Sequence, residues 1–184
     1  SPGMLPVPAL AMMFLGLYLP DGIINSLLRS VGLEELTRVW LANTSTALWA
    51  VIAIDIWGGI GWYTVLFFSF LSNVRTELYE AARLDGADYW TLLWQIAFPL
   101  AIDFFGVMLM LQFMWLLLGA AQNVLLLTKG GPGDASMTLG YYLYYQAFDI
   151  RRLGYSQAIA VFVFFTGLVG MLAIRRSTHR IHEA

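Results

Sequence analysis

The chain has 184 residues, 59% of them hydrophobic and 12% charged, with a formal net charge of −2 and no cysteine; its mean hydropathy is +0.70. A soluble domain carries about twice that charged share, so a water-soluble globule is excluded, and the slight negative balance gives no basis for nucleic-acid binding. Disulfides, thiolate metal sites and cysteine nucleophiles are ruled out as well, and His179 and His182, both in the polar tail, read as solvated residues rather than metal ligands.

In chain order, the first apolar run is 4–19, short for a span that needs about 20 residues. Pro6 and Pro8 fit a first helical turn, and Pro20-Asp21-Gly22 closes the run with turn chemistry. No basic start or small-residue cleavage site marks residues 1–20 as a signal peptide. In 21–46, Ile23, Ile24, Leu27, Leu28 and Val31 recur at helical spacing around Arg29, as in a short helix lying at the membrane surface. Trp40 suits the interfacial belt. Residues 45–72 read as a full span holding Asp55, Trp57, Gly58, Gly59, Gly61 and Trp62. An intramembrane carboxylate faces a cavity or a partner by default, and glycines permit close helix approach.

Residues 73–91 form a charged island between apolar segments, with Arg75, Glu77, Glu80, Arg83, Asp85 and Asp88. Each such charge costs several kcal/mol in hydrocarbon unless paired or hydrated, so this is a loop outside the bilayer. Its residues are mostly good helix formers. Glu77, Glu80, Leu84 and Asp88 would share one sector of a helix, and Asp85-Gly86 supplies the bend that ends it. Residues 92–127 are apolar but too long for one straight span. Pro99 is expected to divide them into a lead-in helix and the span proper, with Asp103 near the interface and Gln112, Gln122 and Asn123 interrupting the apolar run. The cluster 128–134, Thr-Lys-Gly-Gly-Pro-Gly-Asp, lacks the Walker spacing and reads as turns. Residues 154–174 form the fourth span, followed by a basic tail with Arg175, Arg176 and Arg180. No internal repeat, low-complexity tract or soluble domain is visible. The fold class is an all-α membrane protein, a polytopic bundle of four spans and a single domain.

The island continues as a pattern: Glu80-Ala81-Ala82, three residues, Gly86, nine residues, Ile96, one residue, Phe98-Pro99. This resembles the EAA motif of ATP-binding-cassette (ABC) importer permeases, with Phe98 where that family usually has Leu. Three further stretches look like the carbohydrate-type members: Gly22-Ile23-Ile24-Asn25 with Trp40-Leu41, then Leu127-Thr128 leading into Gly130-Gly131-Pro132 and on to Tyr144, Gln146-Ala147-Phe148, and finally Leu153-Gly154-Tyr155 with Ala158. The resemblance implies a type I ABC importer permease in a plasma or inner membrane, with sugars or sugar-like solutes as cargo. The family's core usually has six helices, so further helices are expected before Met4. It implies a cytoplasmic coupling helix that docks on the ATPase, carried by Glu77, Glu80, Ala81, Ala82, Asp85 and Gly86. Implied partners are ABC ATPase subunits, a second permease subunit, an extracytoplasmic solute-binding protein and the lipid bilayer, with ATP hydrolysis on the partner and no cofactor here.

For solute contact the candidates are Asp55, Trp57, Gln112, Trp115, Gln122 and Asn123, since sugars favour polar groups for their hydroxyls beside aromatic faces. Orientation rests on the resemblance. With the loop inside, five basic residues lie inside and five outside, so charge gives no bias. The competing readings are a permease for an amino acid or ion, and a membrane scaffold that transports nothing. A membrane enzyme lacks support, because Asp55 and Asp103 fall on different helices and no histidine lies in the spans.

Overall fold

The computed structural model describes residues 5–74 and 76–183, with backbone alone for 103 and 179–183. Arg75 lies outside the described residues, as do the side chains of Asp103, His179, Arg180 and His182. The described residues form helices and turns, in the order α1 (Val7–Tyr18), α2 (Ile23–Ser30), α3 (Ala47–Ser72), α4 (Thr76–Leu84), α5 (Tyr89–Thr91), α6 (Phe98–Met114), α7 (Ala121–Leu127), α8 (Leu139–Tyr144) and α9 (Leu153–Glu183). Four segments are long and apolar enough to cross a membrane: Val7–Ser30, Ala47–Ser72, Phe104–Leu127 and Leu153–Thr178. The last helix runs on through the basic tail rather than stopping near 174, because 153–183 contains no proline and a glycine only at 154, 167 and 170.

Three stretches widen into π-helix: Leu92–Ala97, Trp115–Gly119 and Tyr145–Asp149. The first corrects where Pro99 acts. The proline has no N–H and its ring crowds the carbonyl one turn back. The chain meets this upstream, with the Phe98 N–H reaching back five residues to the Leu93 carbonyl, and α6 then starts at Phe98.

The chain divides into two compact units, one of residues 5–62 with Trp115–Val163, the other of Tyr63–Met114 with residues 164–183. In the first, α1 packs against α3 and α7 through Leu10, Phe14, Tyr18, Ala50 and Ile54. The Tyr18 hydroxyl donates to the Ala50 carbonyl at 2.9 Å. A second cluster joins Val51, Val124 and Tyr141. The turn between α1 and α2 needs glycine at 22, since a Cβ there would lie 2.5 Å from the Leu17 carbonyl oxygen.

Residues 31–46, which carry little regular structure, are tied down by one amide. Asn25 is buried, with its Nδ2 donating to the carbonyls of Pro20 (3.0 Å) and Arg38 (2.9 Å). Its Oδ1 accepts from the Arg38 N–H (3.2 Å) and the Trp40 indole (3.0 Å). Trp40 is therefore held by a side-chain bond as well as by any interfacial preference. The turn cluster after α7 is equally defined. Lys129, Gly130, Gly133 and Asp134 all take positive φ, Gly131-Pro132 is cis, and the buried Ser136 hydroxyl sits between the Gly131 carbonyl and the Thr128 hydroxyl.

In the second unit, Phe104 stacks on Phe70 with ring centroids 4.5 Å apart and meets Phe67 edge-on at 5.1 Å. Gly170 faces the Phe113 ring so closely that a Cβ could not fit, and Gly106 meets Thr178 in the same way. These glycines let helices approach closely, as small residues do in membrane packing.

Candidate functional site

Two groups of residues carry the functional reading. The first is the charged loop. Helix α4 covers Thr76–Leu84 and has no buried residue. Its end is a complete Schellman motif: Gly86 sits at φ +86°, its N–H bonds to the Arg83 carbonyl (3.1 Å), and the Ala87 N–H reaches the Ala82 carbonyl (2.9 Å). Glu77, Glu80, Ala81, Asp85 and Gly86 are exposed and Ala82 half-buried. Leu84, an apolar side chain, is 89% exposed at the last turn.

The acidic sector is shorter than the helical wheel predicts. Gly86 turns the chain before Asp88, so Asp88 is not on the face of Glu77, Glu80 and Leu84. It instead caps the next helix, where its carboxylate accepts the Thr91 N–H at 2.8 Å. Hydrogen bonds from Thr91 hold the Asp88 carboxyl below the usual aspartate range.

The second group lies in the membrane-spanning part of the first unit. Asp55 is half-buried on α3, and the Asn123 Nδ2 of α7 donates to its Oδ1 at 2.8 Å. The Trp115 side chain lies beside the same carboxylate, near enough to act on it electrostatically. An ionised carboxylate only accepts and both neighbours only donate here, so the three groups match. Asn123 is 3% exposed, yet its Oδ1 has no partner among the described residues. The Trp115 ring stays 42% exposed. The carboxylate and the open aromatic face offer what a hydroxylated solute needs, while the Asn123 amide holds the carboxylate from behind.

The remaining candidates are elsewhere. Trp57 packs its ring against Phe14, centroids 5.6 Å apart. Gln122 is exposed on α7. Gln112 belongs to the other unit, where its Oε1 accepts the Tyr63 hydroxyl at 2.6 Å. Reading the sequence residue by residue misses Gln146, buried with an unpartnered Oε1 among the described residues, and the role of Gly119 beneath Trp115. Gln146 lies in the stretch 144–148 that resembles carbohydrate-type permeases, so its type is visible in the sequence. Its burial is not. No group of three or more metal-ligating side chains occurs among the described residues.

Residues 3–183 match the family described as binding-protein-dependent transport system inner membrane component. The chain is 36% identical over 165 residues to the probable ABC transporter permease protein YurN of Bacillus subtilis, covering 88% of this chain and 56% of that protein. It is 30% identical over 168 residues to the diacetylchitobiose uptake system permease protein NgcF of Streptomyces coelicolor, covering 87% of this chain and 46% of that one. The chain thus spans about half the length of the relatives it matches. In structure it resembles a bacterial ABC transporter that imports the acidic polysaccharide alginate, with a TM-score of 0.83 at 21% identity over 98% of this chain and 63% of the other. That likeness is one of fold.

Proposed function

The chain belongs to the family of binding-protein-dependent transport system inner membrane components, and from that premise we propose that it acts as one transmembrane permease domain of an ABC importer for a sugar or sugar-like solute. Its partners in this reading are ATP-hydrolysing ABC subunits, a second permease subunit and an extracytoplasmic solute-binding protein, in a plasma or inner membrane. ATP binding favours one arrangement of the assembly over another, and that differential affinity drives alternating access.

The observation that carries the reading is α4. It is an exposed helix between two apolar segments, ended sharply by Gly86 and presenting Glu77, Glu80 and the bare Leu84 side chain. An apolar residue exposed to this degree on a charged loop suits a helix that fits into a groove on a partner. In the proposed mechanism the ATPase moves α4 and the spans follow. Asp55 and Trp115 line the solute path, the carboxylate accepting sugar hydroxyls and the indole covering a C–H face, with Asn123 orienting the carboxylate. Relatives named for diacetylchitobiose uptake and for transport of starch degradation products favour oligosaccharides as the first cargo to try.

The test is co-purification. The chain is expressed with its neighbouring genes and extracted in detergent, and retention of an ATPase subunit is scored for the wild type, Glu80→Lys and Gly86→Asp. Retention in the wild type and loss in both variants is expected. Failure of any ATPase to bind the wild-type assembly overturns the importer reading.

A further inference from the structure

The Trp115 ring is placed by a glycine on its own helix. Trp115–Gly119 is a π-helical turn, closed by the Ala120 N–H on the Trp115 carbonyl at 3.2 Å. A Cβ built at Gly119 would lie 2.5 Å from Cε3 and 2.8 Å from Cε2 of Trp115, and nearer still to Cδ2. Cδ2 is a ring-fusion atom with three bonded neighbours in the indole plane, so position 119 reaches it from above or below that plane. The indole therefore lies face-on over the backbone at 119, in space that a side chain would fill. A helical Cβ points back toward the N-terminus, so at any residue but glycine it would drive into the ring. The indole is rigid and cannot yield at its far end.

We propose that Gly119 is the positioning residue of the Asp55–Trp115–Asn123 cluster: lacking a Cβ, it lets the indole lie against the helix with its N–H at the Asp55 carboxylate and its outer face open to solute. This rests on the reading of the cluster as part of the solute path. Glycine at 119 is otherwise a poor choice, since it weakens a helix interior relative to alanine. The turn accepts that loss because the ring occupies the vacant volume.

The test uses the full chain in lipid nanodiscs with 5-fluorotryptophan incorporated, so that its seven tryptophans report by fluorine NMR. The Trp115 resonance is the one lost in Trp115→Phe. Gly119→Ala is expected to shift that resonance and leave the others in place, and Asp55→Asn to shift it too. A Trp115 resonance unmoved by Gly119→Ala overturns the proposal. Thermal unfolding gives an independent reading that does not depend on the variant keeping its fold. Gly119→Ala should lower the Tm of the wild type and raise it in a Trp115→Ala background, where the clash is gone and alanine's helix preference remains. A lowered Tm in both backgrounds also overturns it.

Uptake separates this proposal from the reading beneath it. In the complete importer, with maltose and N,N′-diacetylchitobiose as probes, Gly119→Ala should raise KM at least tenfold and leave kcat within about twofold. A shifted resonance with KM unchanged for a transported probe supports the placing of the ring by Gly119 and overturns the solute-path reading instead.

Discussion

At the scale of single residues, stability and transport are expected to separate at two asparagines. Asn25 spends every polar atom on neighbours within 15 positions, and its loss leaves the Arg38 and Trp40 N–H groups and the Arg38 carbonyl without these partners, while the Pro20 carbonyl keeps Arg29. A buried polar group left unsatisfied costs about 1–3 kcal/mol. Asn25→Ala should therefore destabilise the detergent-solubilised chain by about 1–3 kcal/mol, read as a lowered thermal midpoint, with residues 38–46 losing protease resistance first. Asn123 is the opposite case. One half of its amide bonds Asp55 while its buried Oδ1 has no partner among the described residues. Asn123→Leu removes one bond and one unsatisfied acceptor together, so the midpoint should stay close to wild type. Uptake of maltose or diacetylchitobiose by the assembled importer should fall more than tenfold. A collapse of stability with no specific loss of uptake would make Asn123 a packing residue. Both asparagines were visible in the sequence, Asn25 in a stretch resembling sugar permeases and Asn123 as a polar break in an apolar run. Which one is saturated and which is left wanting a partner depends on contacts across 13 and 68 positions, and no local pattern encodes those.

At the scale of elements, the legible features were those with a local cause. The bend at Gly86 follows from one residue type, and the Schellman bonds around it are fixed by neighbours within five positions. A Cβ at positive φ costs about 1–2 kcal/mol. Gly86→Ala should leave the spans intact but fray the end of α4, and ATPase retention should drop by roughly tenfold for each 1.4 kcal/mol of lost preorganisation. A helical wheel puts Asp88 on the wrong helix because it assumes the helix continues. Once the chain turns at Gly86, Asp88 meets the first amides of the next helix. Its depressed pKa fixes the sign of a pH effect. The cap is fully effective above the unfolded-state pKa and is lost as pH falls through the lower folded value. Carbon-13 titration of the Asp88 carboxyl should show that depression, and Thr91→Ala should reduce it; an ordinary aspartate pKa in the wild type would remove the cap from the account. The π turns were not legible. Pro99 signalled a disturbance, but the turn that absorbs it lies at Leu92–Ala97. The Trp115–Gly119 turn is marked only by an aromatic and a glycine four apart.

At the scale of the whole molecule, sequence and structure agree on four crossing segments because hydropathy and length are sums over some 20 residues and survive local errors. Most of each span's surface is left uncovered by this chain, as expected where lipid or other subunits complete the burial. Which way the spans run is a separate question, and the even division of basic residues leaves the positive-inside rule without a vote. The proposed mechanism does decide it: α4 must face the nucleotide, and the turn cluster 128–134 must face the source of solute. The absence of native cysteine makes this directly measurable. Glu80→Cys and Asp134→Cys, both at exposed positions, should react with a membrane-impermeant maleimide from opposite sides of the membrane. Glu80→Cys should be labelled only in inverted vesicles, and Asp134→Cys only in intact cells stripped of their outer barrier. A shared side would mean that an even number of crossings lies between the two loops, and α4 could not then couple ATP to solute movement. With opposite sides established in the expected sense, labelling of Glu80→Cys should also be blocked when the ATPase subunit is bound. Asp134→Cys should stay reactive under the same conditions, because the proposed mechanism assigns it no contact with the ATPase.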